Sequence, residues 1–144
     1  MSTGINFSRI WFDDDVVKLK IESSDGKSVF CNEVFVGHQD LDGLIAGLLT
    51  FRNHVHGGLF DIVLGSFGPE YAGGAFHARL HFQSPGKIVV TVRAQSDFQE
   101  FGIKTVASAA TLYLRTEPVL LDNFVSELRA LKSGKRDDAN LQAV

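Results

Sequence analysis

The chain has one cysteine, three prolines and one tryptophan in 144 residues. A single thiol, Cys31, excludes an intramolecular disulfide and agrees with a reducing compartment. No apolar run approaches the ~20 residues that span a bilayer, so no membrane segment is expected. An excess of positive charge is also missing. The net charge is −3 and the pI near 5.9. Neutralising phosphates takes clustered Lys and Arg, so nucleic acid is not an expected partner. The opening segment "MSTGINFSRIWF" lacks a basic stretch followed by an apolar one. No secretory leader is expected, and the expected location is cytoplasmic.

Catalytic signatures are missing as well. No nucleophile elbow, P-loop, dinucleotide fingerprint or HExxH pattern occurs. The adjacent Asp13, Asp14 and Asp15 read as a hydrated turn. His54 and His56 have no third ligand near them. His77 and His81, four apart on a strand, lie about 13 Å from each other, too far to share one ion. No catalytic residue, metal or cofactor is nominated.

What is present is an ordinary globular composition, 44% hydrophobic and 22% charged. It is long enough for one domain with a sizeable core. Residues 16–23 alternate Val17, Leu19 and Ile21 with Lys18, Lys20 and Glu22, the period of a half-buried strand. Strands are also expected over 5–12, 29–37 and 59–67, with Cys31 as a small core residue. Between them, Leu41, Leu44, Ile45, Leu48 and Leu49 follow a helical period. They predict a helix over 40–55 with Asp40 at its N-cap. Gly43 and Gly47 on that helix suit close packing on a sheet. A second helix over 117–132 carries the stripe Leu121, Phe124, Val125, Leu128 and Leu131. Pro118 suits its first turn and Gly134 its C-terminal cap. Residues 97–102 read as a turn and 103–116 as one long strand. The last ten residues, 135–144, lack periodicity and are expected to fray beyond a domain of 1–134.

The order is β-β-β-α-β-β-β-β-α. Short links favour antiparallel neighbours. The expected fold is α+β: one mostly antiparallel twisted sheet of six to seven strands, with both helices on one face.

One hairpin stands out, "AFHARLHFQSPGKIVVTVRAQ" over 75–95. Phe76, Ala78, Leu80 and Phe82 alternate with His77, Arg79, His81 and Gln83. On the partner, Ile88, Val90, Val92 and Ala94 alternate with Val89, Thr91, Arg93 and Gln95. A two-residue loop would set apolar residues against polar ones, because a one-residue slip flips every side chain. The parity therefore predicts a three-residue loop, 85–87, or a bulge of equal effect. Phe82 then faces Val90, and Arg79 faces Arg93. Opposed like charges are destabilising. Asp61, Asp97, Glu100, the tail and an external anion are the candidates to offset them. Tyr113 and Arg115 can extend the same face, which gives His77, Arg79, His81, Arg93, Gln95, Tyr113 and Arg115 as candidate binding residues. Two readings stand: a solvated face with internal ion pairs, or a recognition surface for an acidic partner or small anion. Glu70 and Tyr71 sit in a glycine-rich loop that is either a recognition loop or simple punctuation. The small residues of 105–111 allow a helix to pack closely, or leave a pocket between sheet and helix.

The order of parts resembles that of small bacterial immunity proteins paired with cell-wall-associated contact toxins (the WapI-type family). Three features carry the resemblance: the early alternating strands, the helix opening "DLDGLIAGLLTF", and the outgoing hairpin with its late strand and amphipathic helix. Together they cover most of 15–132. Such members often carry Glu-Pro after the post-helix strand, whereas this chain has Pro69 before Glu70. The resemblance implies a cytosolic protein that binds and neutralises a toxin domain without chemistry of its own. The function expected is thus a non-catalytic protein-binding module whose partner is a toxin domain or its own copy. The alternative is a small-molecule binder or enzyme with a pocket between sheet and helices.

Overall fold

The computed structural model describes residues 3–68 and 73–144. It is an α+β fold in which every strand pairing is antiparallel. Among the described residues, ten strands and two helices follow one another as β1 (Gly4–Phe12), β2 (Val16–Ser24), β3 (Val29–Gly37), α1 (His38–Arg52), β4 (Leu59–Leu64), β5 (Ala75–Ser84), β6 (Lys87–Gln95), β7 (Gln99–Phe101), β8 (Lys104–Val106), β9 (Ala109–Thr116), α2 (Pro118–Lys132) and β10 (Asp138–Gln142).

The single sheet expected from the sequence is instead three. One four-stranded sheet runs β10-β1-β2-β3, a second runs β4-β5-β6-β9, and β7-β8 is a separate ribbon. The physical reason is one shared core. Phe7 of β1 meets Phe76 of β5 edge-on at 5.7 Å and Phe124 of α2 at 5.5 Å. Phe51 of α1 stacks on Phe82 of β5 at 4.7 Å. The apolar faces of both sheets and the stripes of both helices converge there, where edge-to-face and offset ring pairs are favoured.

Three hydrogen-bond sets join the two sheets. Buried Asn32 on β3 donates its Nδ2 to the Ala75 carbonyl at 3.1 Å and the Gln95 carbonyl at 3.2 Å. Thr116 Oγ1 donates to the Gln142 carbonyl at 2.8 Å. The Val144 N–H donates to the Arg115 carbonyl at 2.8 Å.

The expectation of a frayed tail is corrected by β10. Its five residues pair with β1, from Gly4 opposite Gln142 to Ser8 opposite Asp138. Ala139 and Leu141 are 0% and 2% exposed. Two inward positions in so short a strand give too little periodicity to see in a sequence. Cys31 is also corrected. Asn32, Val34 and Val36 take the inward positions of β3, and Cys31 is exposed with Val29 and Phe35. Partial burial of its sulfur, and then the Glu22 carboxylate 3.6 Å away, raise its pKa.

α2 and its buried stripe agree with the periodicity. Gly134, at φ +82°, takes the left-handed position after the helix, as expected. α1 starts two residues before Asp40, with Gly37 at the N-cap position, and Leu49 is exposed while Phe51 is buried. Gly47 meets the packing expectation, because a Cβ there would lie 2.3 Å from the Phe60 ring; at Gly43 a Cβ meets nothing within 4 Å. The stretch read as one strand over 103–116 is broken into β8 and β9 by 107–108. No helix among the described residues is long and apolar enough to cross a membrane.

Candidate functional site

The hairpin parity argument holds, but the extra residue sits elsewhere. Ser84 pairs with Lys87 across a two-residue turn, and the register shifts between Phe82 and Ser84. The bulge absorbs the mismatch inside the strand instead of in the loop. Relative to the expectation, the pairing slides by two residues. Leu80 faces Val90, Phe82 faces Ile88, His77 faces Arg93 and Arg79 faces Thr91. Arg79 and Arg93 therefore share a face without opposing each other.

That face belongs to the sheet β4-β5-β6-β9. Its outward residues form rows across all four strands: Leu59, His81, Val89 and Arg115; Asp61, Arg79, Thr91 and Tyr113; Val63, His77, Arg93 and Thr111. The structure thus brings His77, Arg79, His81, Arg93, Tyr113 and Arg115 onto one surface. Gln95 ends the face, half-buried opposite Ala109. Glu70 and Tyr71 lie outside the described residues.

Of the charges suggested to offset the arginines, Asp61 does so. Arg79 donates to it with both arms of its fork, Nε to Oδ1 at 2.8 Å and Nη2 to Oδ2 at 3.1 Å. His77 Nε2 approaches Oδ1 at 3.0 Å. The Arg79 hydrogen bonds, helped by His77, hold the Asp61 carboxyl below the usual carboxylate range against the opposing effect of partial burial. Asp61 is the one carboxylate among the described outward residues of these rows. Arg93 and Arg115 have no carboxylate partner among the described residues. The Arg93 guanidinium lies 4.6 Å over the Phe67 ring, a contact that orients the cation without neutralising it.

Apolar groups complete the surface. Tyr113 is 73% exposed, Val63 62% and Leu59 52%. Arginine and tyrosine among exposed aliphatics are a composition that protein interfaces favour. Sequence reasoning did not place Leu59, Val63 or Phe67. Alternation through "LFDIVL" carries a signal for the first two, since Leu59, Asp61 and Val63 fall on one side. Phe67 was expected inside a strand over 59–67, but β4 ends at Leu64 and Phe67 lies in the connection beyond it.

The small-residue stretch does not lie under a helix. Ser108 and Ala109 are exposed and Ala110 half-buried. They border two shallow depressions, one of about 450 Å³ beside Cys31 and Phe101, the other of about 250 Å³ beside Phe67 and Arg93. A groove of about 300 Å³ does lie between a helix and strands, where α1 passes β3 and β4 at Phe35, Asp40, Gly43 and Val63. Among the described residues, no three His, Cys, Asp or Glu side chains come together as metal ligands.

Fold and site together define an α+β fold with a mixed cationic and apolar sheet face on which Leu59, Val63, Arg79, Arg93, Tyr113 and Arg115 are exposed among the described residues. The chain matches no protein-family model, no curated protein and no solved structure.

Proposed function

We propose that this chain is a non-catalytic protein-binding module, of the immunity type that neutralises a toxin domain, and that the outer face of β4-β5-β6-β9 makes the contact. The observation that carries the reading is Arg93 and Arg115, without carboxylate partners among the described residues, beside exposed Tyr113, Leu59 and Val63. An Arg at the centre of an interface carries a large share of its energy when it meets a carboxylate. The module works in the cytoplasm, where the exposed Cys31 thiol stays reduced.

The test is capture from the source cell's lysate by the wild-type chain and by an Arg93→Glu, Arg115→Glu double variant. One stoichiometric partner with an acidic surface is expected, held at least about 30-fold more weakly by the variant, a change of about 2 kcal/mol. A partner bound equally well by both proteins means that the contact is elsewhere.

The groove between α1 and the strands β3 and β4 favours a second reading, a small-molecule binder or enzyme. Its volume of about 300 Å³ reaches the lower end of ligand pockets, and Gln39, Asp40 and Asp61 supply polar groups. A bulky side chain at Gly43, where there is open space, would fill it. Gly43→Gln abolishing a metabolite-induced rise in melting temperature would favour that reading over the first.

A further inference from the structure

The outer face of β4-β5-β6-β9 ends at β9, and the far edge of that strand is open. Among the described residues, its ladder partner is β6. The Ser96 N–H bonds the Ser108 carbonyl at 2.8 Å, in step with the β6 register. Ala110, Leu112, Leu114 and Thr116 therefore turn their N–H and C=O groups toward β6. Ala109, Thr111, Tyr113 and Arg115 turn theirs toward the free edge. The Val144 N–H on the Arg115 carbonyl, at 2.8 Å, agrees with this. Past that bond, no backbone partner meets Tyr113, Thr111 or Ala109 among the described residues. The β10 edge of the other sheet is finished by side chains. There the Asn140 N–H donates to Glu127 of α2 at 3.0 Å, and the Gln142 carbonyl accepts Thr116 Oγ1. β9 has no proline and no bulge, two devices that commonly close an edge. A depression of about 450 Å³ lies here, with Thr3, Asp25, Thr91, Tyr113, Arg115 and Val144 in its lining. Another of about 410 Å³ shares Arg115 with it and reaches Lys87 and Glu117, whose charges offset each other. The Asp25 carboxylate is held by its own turn, accepting the Lys27 and Ser28 N–H groups at 2.9 and 2.7 Å.

We propose that the free edge of β9 receives an extended segment of the protein partner as an added antiparallel strand, with carboxylates on its outward side. This rests on the reading of the face as a binding surface and supplies the geometry of the contact. β10 already reaches the same edge antiparallel, Gln142 at Thr116 and Val144 at Arg115. A strand laid from Tyr113 to Ala109 continues that line, and its main chain completes the open N–H and C=O groups. Its inward residues lie beside Ala110 and Leu112, so apolar ones fit. Its outward residues lie beside Thr111 and Tyr113, diagonal to Arg115 and within reach of a long side chain. Carboxylates there meet an arginine that has none of its own among the described residues. A second copy is disfavoured as occupant, because β9 paired with β9 would set two cationic faces side by side.

The experiment is an NMR titration of the full chain with the peptide acetyl-Glu-Val-Glu-Val-Glu-amide, cut to the length of 109–113. Saturable shifts and slowed solvent exchange of the Thr111 and Tyr113 amides are expected, with a dissociation constant on the order of 1 mM. In an antiparallel pair the outward residues of the added strand point their N–H groups at β9. N-methylation of the glutamates should therefore abolish binding, and N-methylation of the valines should not. Thr111→Pro removes an edge N–H and no β6 bond, and should weaken binding at least about tenfold. Arg115→Gln should weaken it roughly threefold. Lys20→Glu, on the other sheet, should leave it unchanged. Equal binding of acetyl-Lys-Val-Lys-Val-Lys-amide would overturn the carboxylate assignment. Absence of saturation, or full binding by the glutamate-methylated peptide, would overturn the added strand. A dimer of the free chain that Thr111→Pro dissolves would overturn the partner in favour of a second copy. The titration needs no partner and reads backbone amides, so its failure is distinct from failure of the lysate capture, which tests the arginine side chains.

Discussion

The outer faces of the two four-stranded sheets are built on the same alternation and end in different electrostatic states. On β10-β1-β2-β3, Lys18 pairs with Glu33 at 3.0 Å and also lies 5.2 Å over the Phe35 ring. Trp11 packs edge-on against that same ring at 6.2 Å. At the rim, Arg9 pairs with Asp137 at 2.9 Å and covers the Phe12 ring. These cations and exposed rings satisfy one another. On β4-β5-β6-β9, Arg79 alone of three arginines is paired with an aspartate. Arg79, Arg93, Arg115 and the outward Lys87 at the start of β6, less Asp61, leave +3 on this face of a chain whose net charge is −3. The lesson is that counting charges along a strand says little. The two faces differ in degree: Lys18 and Arg9 find carboxylates around the first sheet while outward Lys20 has none among the described residues, and on the second only Arg79 does.

That contrast makes sharp demands. Substitutions around the first sheet should change stability, and substitutions on the second sheet's outer face should change binding. The largest effect is expected from deleting residues 135–144. The loss of buried Leu141 and Ala139, with the β1 ladder, should cost about 4 kcal/mol in urea unfolding. An unchanged midpoint would mean that the first sheet needs only three strands. Next comes Asn32→Leu, which leaves the Ala75 and Gln95 carbonyls without this donor where the sheets meet. A loss of about 2–3 kcal/mol is expected by the same measurement. The Arg93→Glu, Arg115→Glu variant should unfold within about 0.5–1 kcal/mol of wild type, since neither arginine has a carboxylate partner among the described residues and Arg93 loses only its contact with the Phe67 ring. A large destabilisation would show that this face is self-contained too.

Smaller effects test the gap between the sheets and the shared aspartate. Gly43→Ala should stabilise by about 0.5–1 kcal/mol through helix propensity, because its Cβ meets open space. Gly47→Ala should not, because the Phe60 ring must move. Thermal melts of the pair decide this. Acid stability gives the smallest signal. Asp61, lowered chiefly by Arg79, and Asp13 and Asp25, lowered by backbone N–H groups, all have depressed pKa values in the folded state. A depressed carboxylate contributes stability above its ordinary value near 3.9 and loses that contribution as pH falls through the folded value. Stability should therefore be level between about pH 7 and 5 and decline below about 4. Asp61→Asn should flatten that decline by a few tenths of a kcal/mol, the scale of a partly exposed ion pair.

Much of the fold is legible in the residues. The α2 stripe, the inward sets of β2, β5 and β6, and the need for one extra residue in the hairpin all follow from local periods. Arg79 and Arg93 sharing a face follows from them too. The two-residue slide in register does not, because a bulge at the strand end and a longer loop satisfy the same parity. The division into two sheets left no trace either. It arises from a shared core between the two sheets, and the bonds that join them, from Asn32 and Thr116, reach backbone carbonyls 43 and 26 residues away. β10 was hidden for a related reason, since five residues with two inward side chains look like a tail until β1 offers them an edge.

By itself, the sequence determined which side chains face inward on β2, β5, β6 and α2 and that a patch of arginines, histidines and a tyrosine must face out, because periods of 2 and 3.6 act over a few residues. Only the tertiary structure decided that Asp61 would be shared by Arg79 and His77, that Phe67 would lie under Arg93, and that Gln95 would keep a buried, unpaired amide. Those facts depend on strands that meet across long stretches of chain, and hydrogen-bond partners at such separations leave no period to read.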